Sequence, residues 1–228
     1  MWKAIVFKEL REQGWAAALG AAAYAYFLAG QMGVRQFMMM SASADEVPFL
    51  SSGILSTLVF VSLCFTITLG LRQSLSESVR GTWLFLLHRP IDRRLILGAK
   101  LAVGAGLYLL CGAAMILVYS WWAATAGTHR SPFRWSMTLD TWRALLSMVP
   151  IYLAAFLSGI RPARWFGSRL LPLVGTGTLV LFLQTAGDSW LQWWLNWRWW
   201  YWGPAAMALL SAVLVALILD VARKRDFS

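Results

Sequence analysis

Residues 97–122 read LGAKLAVGAGLYLLCGAAMILVYSWW and contain one charged side chain, that of Lys100. About 20 apolar residues in a helix are enough to cross the ~30 Å hydrocarbon core of a bilayer. An open strand would leave backbone groups unpaired in lipid, and the strands of a membrane barrel alternate apolar with polar residues, which this segment does not. The segment therefore predicts a transmembrane α-helix.

The composition of the whole chain points the same way. Of its 228 residues, 59% are hydrophobic and 13% are charged, whereas charged residues make up about 25% of a soluble domain. The apolar blocks predict six spans, which cover residues 15–32, 50–71, 97–122, 139–160, 170–186 and 204–219 to within several residues. The fifth block is the shortest and holds Pro172, Gly175 and Gly177. We expect an all-α membrane protein in which residues 1–228 form a single six-helix transmembrane domain.

The distribution of Lys and Arg predicts how these spans are oriented, because basic residues are retained on the cytoplasmic side. Fifteen of the 20 fall before span one, around the second and fourth connections, or after span six. The other side has five: Arg35, Arg130, Arg134, Arg143 and Arg198. This asymmetry predicts that both termini are cytoplasmic. The net charge of +10 is thus spread over four juxtamembrane segments, which argues against nucleic acid as a partner.

The first residues of the chain have an amphipathic pattern. Apolar side chains share one face of a helix, and the basic ones lie mostly elsewhere; the apolar set is Trp2, Ile5, Val6 and Leu10. We expect a short helix that lies on the inner leaflet, in contact with membrane lipid, and leads into span one.

Residue types that carry catalysis or bind metals show no usable pattern. All ten acidic residues fall in connections or near the ends of predicted spans, and His88 and His129 fall on opposite predicted sides. The chain has no HExxH zinc helix and no GK[ST] phosphate loop. We therefore expect no enzyme, no directly bound cofactor and no metal site; if ATP drives this protein, a separate polypeptide binds it.

The second connection is the most informative part of the chain. Residues 72–94 read RQSLSESVRGTWLFLLHRPIDRR. The pattern predicts an amphipathic helix with an apolar stripe and a basic surface, followed by a turn at Pro90 and a basic re-entry into span three. Such a helix can anchor on anionic lipid, or it can dock its cytosolic face into a groove of a partner.

This connection resembles the corresponding segment in the permeases of type-2 ABC exporters. That family has an acid before Gly-Thr, a Leu-rich turn, Pro-[Ile/Val]-x-Arg and then Gly-x-Lys at the start of the third helix. The matching positions are Glu77, Gly81, Thr82, Leu86, Leu87, Pro90, Ile91, Arg93, Gly98 and Lys100. The start Lys8–Glu12 and the ending Arg225-Asp226-Phe227 are also similar. At Trp83-Leu84-Phe85 the chain departs from the family, which often has an acid after Gly-Thr.

The resemblance implies that the second connection is a cytoplasmic coupling helix that contacts a separate ATPase subunit. The residues it assigns to this contact are Glu77, Arg80, Gly81, Thr82, Leu87, Arg89, Pro90 and Arg93. It further implies a permease subunit of an exporter in the bacterial plasma (inner) membrane, working with two ATPase copies and a second, identical or paralogous permease. ATP and magnesium would be bound by the ATPase partner. The alternative is a membrane subunit that anchors or scaffolds an assembly and transports nothing.

Small residues recur at four-residue spacing in two predicted spans. They are Ala17, Ala21, Ala25 and Ala29 in span one, and Gly98, Ala102 and Gly106 in span three. Such faces let helix backbones approach closely in lipid. They predict packing surfaces, either within one chain or between two permeases, and the resemblance favours the second for span one.

Tryptophan is concentrated before the last span. Trp190, Trp193, Trp194 and Trp197 follow a helical spacing on the predicted outer side. Because Trp prefers the membrane–water interface, we expect an interfacial or re-entrant segment in the outer leaflet before helix six. An aromatic cage for a substrate is the alternative.

Overall fold

The computed structural model describes residues 2–32, 49, 52–80, 93–125, 133–161, 166–185 and 191–224. Over these residues the chain forms α-helices and one 3₁₀ turn, Trp135–Thr138, and no strand. The helices are α1 (Trp2–Gln31), α2 (Ser52–Arg80), α3 (Arg93–Ala124), α4 (Leu139–Ser147), α5 (Val149–Ile160), α6 (Phe166–Thr185) and α7 (Leu191–Lys224). The prediction of an all-α chain is confirmed for the part of the chain that the structure describes.

Four segments within the described residues are long and apolar enough to cross a membrane: Gly53–Ser76, Arg94–Ala124, Trp135–Ile160 and Gly203–Arg223. They coincide with predicted spans two, three, four and six, and they indicate a multi-pass membrane protein. In α6 the apolar stretch Gly167–Phe182 is shorter, and α1 is not among the four. The count of six spans therefore remains a prediction at spans one and five.

The start of the chain differs from the prediction. Residues 2–12 are not a separate interfacial helix but the first three turns of α1, which is continuous over 30 residues and, at 1.5 Å per residue, about 45 Å long. The buried face of these turns carries Glu9 and Gln13, and Leu10 lies on the exposed side, where its contact with lipid remains a prediction. The helix continues because no proline interrupts residues 2–31.

Predicted span four is two helices rather than one. Helix α4 ends at Ser147 and α5 begins at Val149, with Met148 between them. Proline has no N–H to donate and its ring crowds the carbonyl four residues earlier, here that of Leu146 in α4, so Pro150 explains the break. The backbone N–H groups of Ile151 and Tyr152 both donate to the carbonyl of Met148, at 3.1 and 3.2 Å.

The Trp-rich segment also differs from the prediction. Residues 191–202 are the first turns of α7, a continuous helix of 34 residues that contains Pro204, rather than a separate re-entrant segment. Transmembrane helices tolerate proline where the freed backbone carbonyl finds another partner. Trp190 and the side chains of Trp193, Trp194 and Trp197 lie outside the described residues.

The chain divides into two compact units. The first consists of Met1–Gln13, Thr66–Ala105 and Ser147–Ser228, and the second of Gly14–Phe65 and Gly106–Leu146. In the first unit, every residue of α5 from Pro150 to Ile160 is buried, and α5 packs against α6 and α7. Since α5 has no charged residue and is apolar on all sides, burial at the centre of its unit is the expected position.

Helices α2 and α5 approach closely in the first unit. A Cβ atom added at Gly70 would lie 2.6 Å from the backbone oxygen of Tyr152 and 2.8 Å from Cβ of Ala155, and one added at Gly159 would collide with the Ser74 hydroxyl. That hydroxyl donates to the carbonyl of Gly70 at 2.8 Å. The pairs Gly70–Ser74 and Ala155–Gly159 each have the four-residue spacing that lets helix backbones meet in lipid.

The second unit is held by aromatic and hydroxyl contacts. The Tyr24 and Ser62 hydroxyls are 2.7 Å apart. The ring of Phe65 lies between those of Tyr24 and Tyr108, with centroids 6.2 and 6.0 Å away and edge-to-face geometry. The Tyr108 hydroxyl donates to the Leu145 carbonyl at 2.7 Å. This carbonyl lies in the last turn of α4, where helix carbonyls lack intrahelical donors.

Replacing Gly70 with Ala is expected to destabilise the protein by about 1–3 kcal/mol, because the added methyl meets backbone that cannot rotate away. The matched control is Gly175→Ala in α6, where an added Cβ meets nothing within 4 Å and where alanine favours the helix by up to ~1 kcal/mol. Thermal unfolding of the purified protein in detergent measures both. Equal midpoints for the two variants would contradict the close approach of α2 and α5.

Candidate functional site

Four polar side chains from four helices are buried together in the first unit. They are Glu9 of α1, Gln73 of α2, Lys100 of α3 and Tyr152 of α5, each at most 1% exposed. Gln73, Lys100 and Tyr152 lie within segments able to span a membrane. Ionisable residues at such positions normally mark function, because burying them is costly. We call these four residues the polar cluster.

The centre of the polar cluster is an ion pair. Lys100 Nζ lies 2.5 Å from Glu9 Oε1, and both side chains are 1% exposed. Moving either charge out of water costs several kcal/mol, which the attraction between them offsets only with good geometry and further hydrogen bonds. The pair therefore needs the polar groups that surround it.

Gln73 supplies those groups. Its Nε2 donates to Glu9 Oε2 at 3.2 Å and to the Lys100 backbone carbonyl at 2.8 Å. Its Oε1 accepts a hydrogen bond from the Tyr152 hydroxyl at 2.6 Å. An amide side chain has two N–H donors and one carbonyl, so these bonds use both ends of the group and fix its orientation. Both oxygens of Glu9 are thereby bound, one by Lys100 and the other by Gln73.

The local sequence of α3 makes room for this arrangement. Gly104 lies one turn after Lys100, and a Cβ atom added there would collide with the Tyr152 hydroxyl and lie 2.6 Å from Gln73 Oε1. A residue with a side chain at this position would push Tyr152 and Gln73 away from α3. The absence of a side chain at Gly104 is what lets α2 and α5 bring their polar groups to Lys100.

Two arginines bind backbone carbonyls near the polar cluster. Arg72 Nη2 donates to the Glu12 carbonyl of α1 at 2.9 Å. Arg169 donates through Nε to the Ser158 carbonyl at 3.1 Å and through Nη2 to the Gly159 carbonyl at 2.8 Å. The second set lies in the last turn of α5, where the carbonyls lack intrahelical donors and the helix dipole favours a cation. Arg169 thus caps α5 from α6.

The polar cluster links helices of the first unit through an ion pair and hydrogen bonds. It pairs one carboxylate with one ammonium group, and the Tyr152 hydroxyl also lies 3.5 Å from the backbone carbonyl of Leu101, outside the four residues. Among the described residues there is no group of three or more His, Cys, Asp or Glu that could hold a metal ion. What the arrangement does is bond the first turns of α1 to the end of α2, the start of α3 and the middle of α5.

Sequence reasoning did not find this cluster. It placed Glu9 in an interfacial helix and Lys100 in the motif at the start of span three. The available signal was the pair Glu9 and Gln13, which are four residues apart on α1, share one face and are both buried. Two buried polar residues at this spacing indicate a face that meets polar partners rather than lipid.

The residues assigned to ATPase contact lie at or beyond the edges of the described segments. Glu77 and Arg80 belong to the end of α2, and Arg93 begins α3; the side chains of all three lie outside the description. Gly81, Thr82, Leu87, Arg89 and Pro90 fall in residues 81–92, which are also outside it. The coupling helix therefore remains a prediction.

The small residues predicted to pack helices fall in two groups. Ala17 is buried and Ala29 half-buried, while Ala21 and Ala25 are exposed. On α3, Gly98 is half-buried and Ala102 and Gly106 are exposed; a Cβ atom added at either glycine meets nothing within 4 Å. Each of four of these residues is thus exposed in the single chain: Ala21, Ala25, Ala102 and Gly106.

Replacing Lys100 with Met leaves the Glu9 carboxylate buried without its cation. We expect the free energy of unfolding to fall by about 3–5 kcal/mol. The double variant Glu9→Gln, Lys100→Met removes both charges and should lose less than Lys100→Met alone. The control is Lys8→Met, which breaks a partly exposed pair with Glu12 at 3.6 Å and should reduce the free energy of unfolding by at most about 1 kcal/mol. Unfolding measured for the full double-mutant cycle tests this; simple additivity of the two single losses would exclude the buried pair.

Comparisons of the chain with protein-family models, with curated proteins and with solved structures find no match.

Proposed function

We propose that this chain is the membrane-spanning permease subunit of an ATP-binding-cassette exporter, and that separate ATPase subunits bind and hydrolyse the ATP. The observation that carries the proposal is the bonding of α2 to α3 on either side of the connection with the exporter-like motif. Gln73 Nε2 donates to the Lys100 carbonyl at 2.8 Å, and each residue lies about two turns from the end of its helix at the connection.

This bond bears on coupling because a docking element works only if the helices on both sides of it respond together. A partner that pushes on residues 81–92 acts on the end of α2 and on the start of α3. The polar cluster holds these two ends to each other and to α5 through Tyr152. Such a push would therefore move the ends of α2 and α3 and helix α5 as well as the connection itself. A permease that is driven by a partner outside the membrane requires a movement of this kind.

The full proposal has six spans, with both termini in the cytoplasm of a bacterial cell and the protein in its plasma membrane. Exposed apolar side chains support counting α1 and α6 as spans, because water would disfavour so many on the surface of each helix. More than half of each of the following is exposed: Trp15 and Leu19 on α1, and Leu171 and Phe182 on α6.

Partners follow from the same proposal. Two ATPase copies, with their ATP and magnesium, would dock on the connection through Glu77, Arg80, Arg89 and Arg93. A second permease, identical or paralogous, would complete the translocation pathway. The uncovered small residues Ala21 and Ala25 offer a face on which a second α1 could pack closely.

The test is an affinity purification in mild detergent of three proteins. They are the wild type, the double variant Glu77→Ala, Arg80→Ala, and the double variant Asp140→Ala, Arg143→Ala. The last pair is the matched control: it removes an exposed carboxylate–guanidinium pair at 3.3 Å, far along the chain from the connection. We expect a polypeptide with Walker nucleotide-binding motifs to co-purify with the wild type and the control. Its recovery with the first variant should fall roughly tenfold or more, since interface residues of this kind contribute about 1–2 kcal/mol each.

The outcomes separate the alternatives. Equal recovery with all three proteins would exclude Glu77 and Arg80 from the contact. If no ATPase co-purifies with the wild type under conditions that preserve membrane complexes, the exporter proposal is wrong, and an anchoring or scaffolding subunit becomes the better assignment.

A further inference from the structure

We infer that Glu9, Gln73 and Lys100 are positioning residues that make the first three turns of α1 move with the connection between α2 and α3. This inference rests on the proposed function, because it concerns the element through which the ATPase would act. It adds α1 to the helices that respond directly to that partner. The connection itself joins only α2 and α3.

Three polar contacts join α1 to the two helices of the connection. Lys100 Nζ pairs with Glu9 Oε1 at 2.5 Å, and Gln73 Nε2 donates to Glu9 Oε2 at 3.2 Å. Arg72 Nη2 donates to the backbone carbonyl of Glu12 at 2.9 Å. Two of these contacts hold a side chain and the third holds the backbone, so both translation and rotation of these turns are restrained.

Electrostatics determines whether the first turns of α1 stay in place or move with α2 and α3. If α2 and α3 moved while α1 stayed, Glu9 and Lys100 would separate inside the protein and leave two buried charges unpaired, which is strongly unfavourable. If the first turns of α1 move with them, the pair stays intact. The second motion costs less, so α1 follows.

The division of the chain into compact units supports the same conclusion independently. Residues Met1–Gln13 belong to the unit that contains Thr66–Ala105, and Gly14 onward belongs to the other. The part of α1 that carries Glu9 and Glu12 thus belongs with both ends of the connection, and the rest of the same helix does not.

The experiment is hydrogen–deuterium exchange on the co-purified complex, with and without a non-hydrolysable ATP analogue. In the wild type we expect the nucleotide to change the exchange of residues 66–80, 93–105 and 2–13 together. In Glu9→Gln, Lys100→Met we expect the change at 66–80 and 93–105 to persist and the change at 2–13 to disappear. The swapped variant Glu9→Lys, Lys100→Glu should restore it.

The control is the double variant Lys8→Met, Glu12→Gln, which removes a partly exposed ion pair from the same turns and should respond like the wild type. If the nucleotide changes residues 66–80 and 93–105 of the wild type but leaves 2–13 unaltered, the inference is wrong, whether or not any variant folds. A neutral variant that keeps the full response at 2–13 also overturns it. Failure of an ATPase to co-purify with the wild type is a different result, since it removes the proposed function and the inference together.

Discussion

A lysine and a carboxylate buried against each other dominate the architecture of the first unit. Neither Glu9 nor Lys100 could be buried alone, so each requires the other, and the pair requires the amide of Gln73 to complete the hydrogen bonding. That amide in turn needs the Tyr152 hydroxyl on its oxygen. Because burying the two charges is unfavourable without these contacts, the ion pair fixes the relative positions of the four helices that supply them.

Close packing and the polar cluster depend on each other. Tyr152 reaches Gln73 because α5 lies against α2 at Gly70 and against α3 at Gly104, two positions where a side chain would block the approach. Apolar burial of α5 alone would allow it to slide along or rotate about its axis, since its surface is apolar on all sides. The hydroxyl bond removes that freedom and gives an otherwise uniform helix a single register.

Local properties predicted a large part of the fold. Hydropathy over residues 50–71, 97–122 and 204–219 was sufficient because span formation depends on length and composition, which are visible in one segment at a time. The break at Met148 was not predicted, because the apolar block continues through it and the effect of Pro150 depends on which neighbours satisfy the backbone. The packing face Gly70–Ser74 was missed for a similar reason: the chain has many small residues, and only the helix arrangement shows which of them face another helix.

The candidate site was harder to predict than the fold. Glu9 and Lys100 are each unremarkable near the end of a hydrophobic block, where charged residues normally mark a boundary. Their pairing is a tertiary contact, and periodicity in a single helix indicates a face but not its partner. The residues of the connection were found through resemblance instead, and that reasoning gave Lys100 a place in a motif without showing what its side chain binds.

The ion pair also constrains the order in which the chain assembles during synthesis. Its two residues are 91 positions apart, so at about 5–20 residues per second the ribosome completes Lys100 roughly 5–20 s after Glu9. Until then the Glu9 carboxylate has no cation to accompany it out of water, and the beginning of α1 must wait at the membrane surface while later helices insert. The segment that carries Glu9 is therefore made well before the residue that fixes its final place.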